Sequence, residues 1–207
     1  HISRCGSTLV TQSLAERPAT VVLSEPATLD IALAGHAPGV SFEERARFVR
    51  ALVLAQAVPF LPQGGEVVLK PEAVHIAHLP LLQAAFPEAR WVFLHRRLED
   101  VYASNVRLPG GSILTGQLDV TPFGLPADLM QVVPFERYVA QLVAATGRMA
   151  LVQDARSPGL FMDHADLTQG GVERIAGHFG LSLDEPTRRR MSQRLLRDAK
   201  DPGRPFA

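Results

Sequence analysis

Hydrophobic positions along the 207-residue chain change period several times, and each change predicts a new element. Leu9, Val10, Ser13 and Leu14 recur at helical spacing, which predicts an opening helix to about Glu16. Positions 19–23 are apolar without alternation and read as a short buried strand, closed by Ser24-Glu25-Pro26. Pro26 disfavours helix at Glu25, so this carboxylate is expected at a strand exit. From Ser41 onward, Phe42, Ala46, Val49, Leu52 and Val53 step by threes and fours, with Glu43, Glu44, Arg45, Arg47 and Arg50 as a solvated face.

Gly64-Gly65 opens a second strand, 66–70, which Pro71 stops. Residues 72–86 are apolar almost all round and predict a buried helix that Pro87 ends. Positions 90–95 form a third strand, continuously apolar as a parallel sheet requires, with Arg96 at its exit. The helix after it runs to about Arg107. Leu98, Val101, Tyr102 and Val106 are its core stripe, and Arg97, Asp100, Ser104 and Arg107 share the opposite face. Residues 108–134, rich in Gly and Pro, read as a long loop or lid of the kind that serves binding. A helix over 136–150, a fourth strand at 159–162, a helix over 172–179 stopped by Gly180 and a last helix over 185–196 complete the chain. Strands alternating with helices predict a three-layer α/β/α fold with a mostly parallel central sheet, in one domain spanning 1–207.

Composition narrows the function classes. Basic and acidic residues both number 21, so no net field favours nucleic acid or an anionic membrane. The single cysteine excludes an intrachain disulfide and fits a reducing, cytoplasmic setting. No run of 18 apolar residues occurs that could span a bilayer. Lys70 and Lys200 are the only lysines among the basic residues. Arg188, Arg189, Arg190, Arg194, Arg197, Lys200 and Arg204 make a basic cluster near the end, which reads equally as a solvated helix face.

The candidate chemistry begins at the first residues, His1-Ile2-Ser3-Arg4-Cys5-Gly6-Ser7-Thr8-Leu9. A basic residue, a glycine and two hydroxyl residues before a helix form an anion cradle: Gly6 admits close backbone approach, the helix N-terminus offers N–H groups, and Arg4 adds a full charge. The Gly-Lys-Ser/Thr ending of a magnesium-dependent phosphate loop is missing. Cys5 lacks the arginine six residues on that a phosphatase thiolate needs, since position 11 is Thr11, although a helix N-terminus would lower its thiol pKa. Glu72, His75 and His78 are spread round a helix and do not converge on one metal ion. A cradle of this kind normally follows a buried strand, so the chain reads as a fragment whose leading strand is missing, cut also at Pro205-Phe206-Ala207.

Three segments together resemble the sulfotransferases that use 3′-phosphoadenosine 5′-phosphosulfate. Arg4-Cys5-Gly6-Ser7-Thr8-Leu9 is similar to their 5′-phosphosulfate loop. Arg96-Arg97-Leu98-Glu99-Asp100-Val101-Tyr102-Ala103-Ser104 is similar to their 3′-phosphate motif, an Arg at a strand exit with Asp four and Ser eight residues on. Phe86-Pro87-Glu88-Ala89-Arg90-Trp91-Val92-Phe93 resembles the family phrase that precedes it.

The resemblance implies a fold like that of P-loop nucleotide hydrolases and transfer of a sulfonate group from that nucleotide to a hydroxyl or amine. No metal is expected, and the acceptor is a small molecule, carbohydrate or peptide. It implies that Arg4 and residues 5–9 hold the 5′-phosphosulfate, and that Arg96 and Ser104 hold the 3′-phosphate. Glu25 matches the catalytic base of the tyrosylprotein and heparan-type branch, and Lys70-Pro71 matches the lysine that polarises the transferring group there. His78-Leu79-Pro80 is similar to the His-Leu-Pro of the cytosolic branch and makes His78 the alternative base. Glu25 is preferred, because His78 is expected well inside a helix. Lys200 and Arg204 fall where the family closes a loop over the nucleotide. Trp91, inside a strand, is not an adenine-stacking residue. The acceptor pocket is expected from residues 41–62 and 108–134. Two other readings stay open: a P-loop phosphotransferase, and a relative that binds nucleotide without catalysis.

Overall fold

Strands pair in parallel in the computed structural model, which describes residues 1–34, 38–110, 113 and 118–197. In chain order the main elements are α1 (Ser7–Leu14), β1 (Thr20–Ser24), α2 (Ala27–Ala34), α3 (Phe42–Ala57), β2 (Glu66–Lys70), α4 (Leu79–Ala85), β3 (Val92–His95), α5 (Leu98–Arg107), α6 (Leu129–Val132), α7 (Phe135–Arg156), β4 (Leu160–Asp163), α8 (Val172–Phe179) and α9 (Glu185–Leu195). They fall into two compact units. One holds residues 1–5, 72–77 and 92–164; the other holds 6–71, 78–91 and the described part of 165–207.

In the second of these, β1 and β2 run side by side with Thr20 opposite Glu66 and Ser24 opposite Lys70. Gly65 sits at the entrance to β2. A Cβ there would lie 2.9 Å from the carbonyl oxygens of both Ala19 and Pro62, so only glycine fits without moving backbone. The core is built from Leu29 and Leu33 of α2, Ala46, Val49 and Val53 of α3, and Leu81, Leu82 and Ala85 of α4, with Leu23 and Leu69 packed from the strands. Leu29 and Leu33 are fully buried, each contributing about 1.5–3 kcal/mol by area. Ser41 and Glu44 close a reciprocal capping box on α3. At the other end of the unit, α1 packs on α9. Arg190 of α9 donates to the Glu16 carbonyl, and Arg17 is paired with Glu66 of β2.

In the first unit, β3 pairs with β4, Val92 opposite Leu160 and His95 opposite Asp163. The Ile2 N–H donates to the Leu94 carbonyl at 2.9 Å, which lays the opening segment along β3. The Phe93 and Phe161 rings meet across the ladder in a tilted contact with centroids 5.5 Å apart. Helix α7 packs against α5 and buries Tyr138, Val139, Leu142 and Val143 along one stripe. Among the described residues, no helix is long and apolar enough to cross a membrane.

Several expectations are corrected. Helix α2 was not anticipated. The single helix expected over 72–86 is broken into a 3₁₀ stretch, Ala73–His78, and α4. Pro80 is the cause: it has no N–H to give, and its ring clashes with the carbonyl of residue 76 four positions back. His78 therefore stands at the α4 N-cap and not inside a helix. Leu98 is 48% exposed at the first turn of α5, and the buried stripe there is Val101 with Asn105, whose amide donates to the Val101 carbonyl at 2.9 Å. Strand β3 starts at Val92, so Trp91 precedes it. Helix α7 extends beyond 136–150 at both ends. In the expected loop over 108–134, α6 and a 3₁₀ turn, Thr121–Phe123, are formed.

Candidate active site

The opening loop changes backbone hand twice. Arg4 has φ +61° and Gly6 has φ +84°, both in the left-handed region. For Gly6 this is free, whereas for Arg4 it costs about 1–2 kcal/mol. Gly6 is the N-cap of α1, no side chain caps that helix, and no acidic residue lies in its first turn. Val10 is the first residue to donate back to Gly6, so the N–H groups of Ser7, Thr8 and Leu9 have no acceptor within the helix. That is an N-terminus suited to an anion. The Cys5 side chain is fully buried, which removes the solvent access a nucleophilic thiol needs.

In the unit containing residues 1–5, the loop is fastened to the C-terminal half of α5. Ser3 Oγ donates to Asn105 Oδ1 at 3.2 Å, and the Arg4 guanidinium donates to the Leu108 carbonyl. Both anchors follow Ser104, which is half-buried, within one turn. Arg4 also places its charge at the negative end of the α5 dipole. Arg96 follows β3 and pairs through Nε with Asp100 Oδ2 at 3.4 Å, an i,i+4 contact along the first turns of α5. Arg96 and Ser104 are thus held by one rigid helix and the strand that feeds it.

Glu25 and Lys70 are brought together in the other unit. The Glu25 N–H donates to the Lys70 carbonyl at 2.7 Å, extending the β1–β2 ladder by one bond. The Lys70 ammonium then reaches Glu25 Oε1 at 2.6 Å and Ser24 Oγ at 3.4 Å. The Lys70 side chain is 6% exposed and that of Glu25 is 41% exposed, so the cation is sequestered and the carboxylate is reachable. Glu25 has φ +48°; it and Arg4 are the non-glycine residues with positive φ among those described. A hydrogen-bonded strand end and Pro26 hold it there, at the carboxyl edge where parallel sheets bind ligands.

The remaining candidates are placed as follows. His78 lies in the same unit as Glu25 and Lys70, half-buried at the start of α4. His75 is buried, and its Nδ1 accepts the Glu72 N–H at 3.2 Å. Among the described residues, no group of three or more His, Cys, Asp or Glu could hold a metal. Lys200 and Arg204 lie outside the described residues, as does part of the expected acceptor segment over 108–134.

A cluster that sequence reading missed occupies the carboxyl ends of β3 and β4. His95 Nδ1 and Asp163 Oδ2 are 3.4 Å apart across the ladder, with Phe161 beside the imidazole. The next residue, His164, is half-buried. Burial first, and then the charge of Arg96, push its pKa below 6.5, against weaker upward pulls from Asp163 and Asp100. Its signal in the sequence was position alone: the residues directly after two apolar runs.

The sequence matches no family model and no curated protein. Among solved structures, the crystal structure of sulfotransferase STF9 from Mycobacterium avium aligns with a TM-score of 0.58 at 15% sequence identity, covering 100% of this chain and 68% of that chain. At that identity the likeness is one of fold, and this chain has the α/β fold of that sulfotransferase.

Proposed function

We propose that the chain is a sulfotransferase that moves a sulfonate group from 3′-phosphoadenosine 5′-phosphosulfate to a hydroxyl or amine acceptor. The observation that carries this reading is the geometry at Glu25. A carboxylate is held in a left-handed backbone conformation at a strand exit, 2.6 Å from a buried lysine. Strain of this kind persists where the surroundings over-determine it, and it clusters at functional sites. The second strained residue is Arg4, in the loop that leads into the uncapped N-terminus of α1.

In this reading Glu25 takes the proton from the acceptor as its oxygen or nitrogen attacks sulfur. The bond between sulfur and the bridging phosphate oxygen breaks, and adenosine 3′,5′-bisphosphate leaves. Lys70 offsets charge gathering on the sulfonate and bridging oxygens, a contribution that burial strengthens. Arg4 retains donors beyond the one given to Leu108, because a guanidinium carries five. With the N–H groups of Ser7 to Leu9 it binds the 5′-phosphate. Arg96 and the Ser104 hydroxyl bind the 3′-phosphate. Arginine and lysine suffice for this charge, so the step assigned to these residues uses no metal. The likeness in fold supports the reaction class, and the choice of Glu25 over His78 rests on the local geometry.

The test is a transfer assay with radiolabelled 3′-phosphoadenosine 5′-phosphosulfate against a panel of phenols, sugars and tyrosyl peptides. Label in an acceptor supports the proposal. Label in none, with magnesium-dependent ATP turnover instead, would transfer the site to phosphoryl chemistry.

A further inference from the structure

The parallel register of β3 and β4 ends at His95 opposite Asp163, so Arg96 and His164 are the next residues after two adjacent strands. Resting on the nucleotide reading above, we propose that His164 is a proton-responsive part of the anion site at Arg96, and that binding a 3′-phosphate there takes up one proton from solvent onto its imidazole.

The surrounding charges make this possible. From the β3 exit, Arg96 opposes a second cation, and His95 Nδ1 lies 3.4 Å from Asp163 Oδ2. From α5, Asp100 is committed to Arg96, while Arg97 and Glu99 form an exposed pair 3.9 Å apart. On its own turn Asp166 pairs with Arg174 at 3.9 Å. Each nearby carboxylate has a side-chain nitrogen beside it, and burial and Arg96 outweigh the pulls of Asp163 and Asp100, so an unliganded His164 holds its proton below the usual 6.5. A phosphate dianion seated on Arg96 cancels that repulsion and supplies a new negative neighbour. The imidazolium then becomes favourable, and the proton it carries adds a donor to the site.

The sign of the effect separates this device from ordinary phosphate binding. A phosphate monoester has its second pKa near about 6, so a site that only prefers the dianion weakens and releases protons as pH falls. Uptake on His164 predicts the reverse. Calorimetric titration of the chain with adenosine 3′,5′-bisphosphate, at about pH 6.5 and about pH 8 in buffers of different ionisation enthalpy, measures both affinity and proton count. The wild-type chain should bind about three- to tenfold tighter at the lower pH with net proton uptake, one pKa unit being a factor of ten. His164→Gln should lose the gain on going to the lower pH, and His95→Gln should keep it. Without any substitution, the His164 imidazole resonance should titrate at higher pH when the nucleotide is present. Binding at the higher pH with proton release on acidification, a gain that survives His164→Gln, or an unmoved His164 titration each overturns the inference and leaves the nucleotide site standing. No binding at either pH overturns the nucleotide reading itself.

Discussion

Glu25, one residue beyond the last pair of a parallel ladder, meets Lys70 of that pair, carboxylate to ammonium at 2.6 Å, with the lysine buried and the glutamate open to solvent. That asymmetry suits the general base proposed above, in which the exposed partner would exchange protons with an acceptor while the buried one stays beside it.

Replacing Glu25 with Gln keeps an acceptor for the Lys70 ammonium and removes the base. Transfer by Glu25→Gln should fall about 10²–10⁴-fold in kcat, the usual contribution of a positioned base, with Kd for adenosine 3′,5′-bisphosphate within about twofold. Steady-state kinetics and calorimetry on the same preparation check this. Turnover near wild type would move the base to another residue, with His78 the first to test.

Backbone strain at Glu25 makes a second, independent prediction. Glycine tolerates φ +48° and alanine does not. Both Glu25→Gly and Glu25→Ala lose the ion pair, so their difference isolates the strain. The glycine variant should be more stable by about 1–2 kcal/mol in urea unfolding, and equal stability would mean that the left-handed conformation is not held in solution.

Gly65 is the sharpest steric test of the fold. A methyl group there meets two backbone carbonyl oxygens at 2.9 Å, and neither can turn aside as a side chain could. Gly65→Ala should lower unfolding free energy by about 1–3 kcal/mol at unchanged m-value. A neutral result would show that the start of β2 is loosely held.

Stability should also fall on mild acidification. His164 binds its proton more weakly when folded than its ordinary 6.5, mainly because it is buried and also because Arg96 is near. Below that value the unfolded chain takes a proton that the folded chain refuses, so this contribution is present above pH 6.5 and is lost as pH falls toward the depressed folded pKa. Urea midpoints at about pH 7.5 and about pH 5.5 should differ less in His164→Gln than in the wild-type chain. Equal differences would remove His164 as their source.

How far the sequence revealed this molecule depended on whether its signals were local. Strand β2 was legible to the residue because Gly65 and Pro71 bracket it, and α8 because Gly180 ends it with φ +75°. The exits at Glu25 and Lys70 followed from the same punctuation, Pro26 and Pro71, and the one at Arg96 from the end of an apolar run. Helix α2 was not, since Ala27–Ala34 is short and apolar almost all round and has no polar face to set a helical period. The break at Pro80 was masked by strong apolar flanks. Contacts between distant segments were beyond reach: the bond from Arg4 to the Leu108 carbonyl and the pairing of His95 with Asp163 exist only once the chain has folded.

The account turns on whether the cations at positions 4 and 96 serve one doubly phosphorylated nucleotide. Calorimetric titration of the wild-type, Arg4→Gln and Arg96→Gln chains with adenosine 3′,5′-bisphosphate and with adenosine 5′-phosphate tests this most directly. The account predicts one site per chain that prefers the bisphosphate, with each substitution weakening it about 10- to 100-fold, the worth of a charged hydrogen bond. Arg96→Gln alone should erase the preference over the 5′-phosphate. Bisphosphate binding that neither substitution weakens, or equal affinity of the wild-type chain for the two nucleotides, would contradict it.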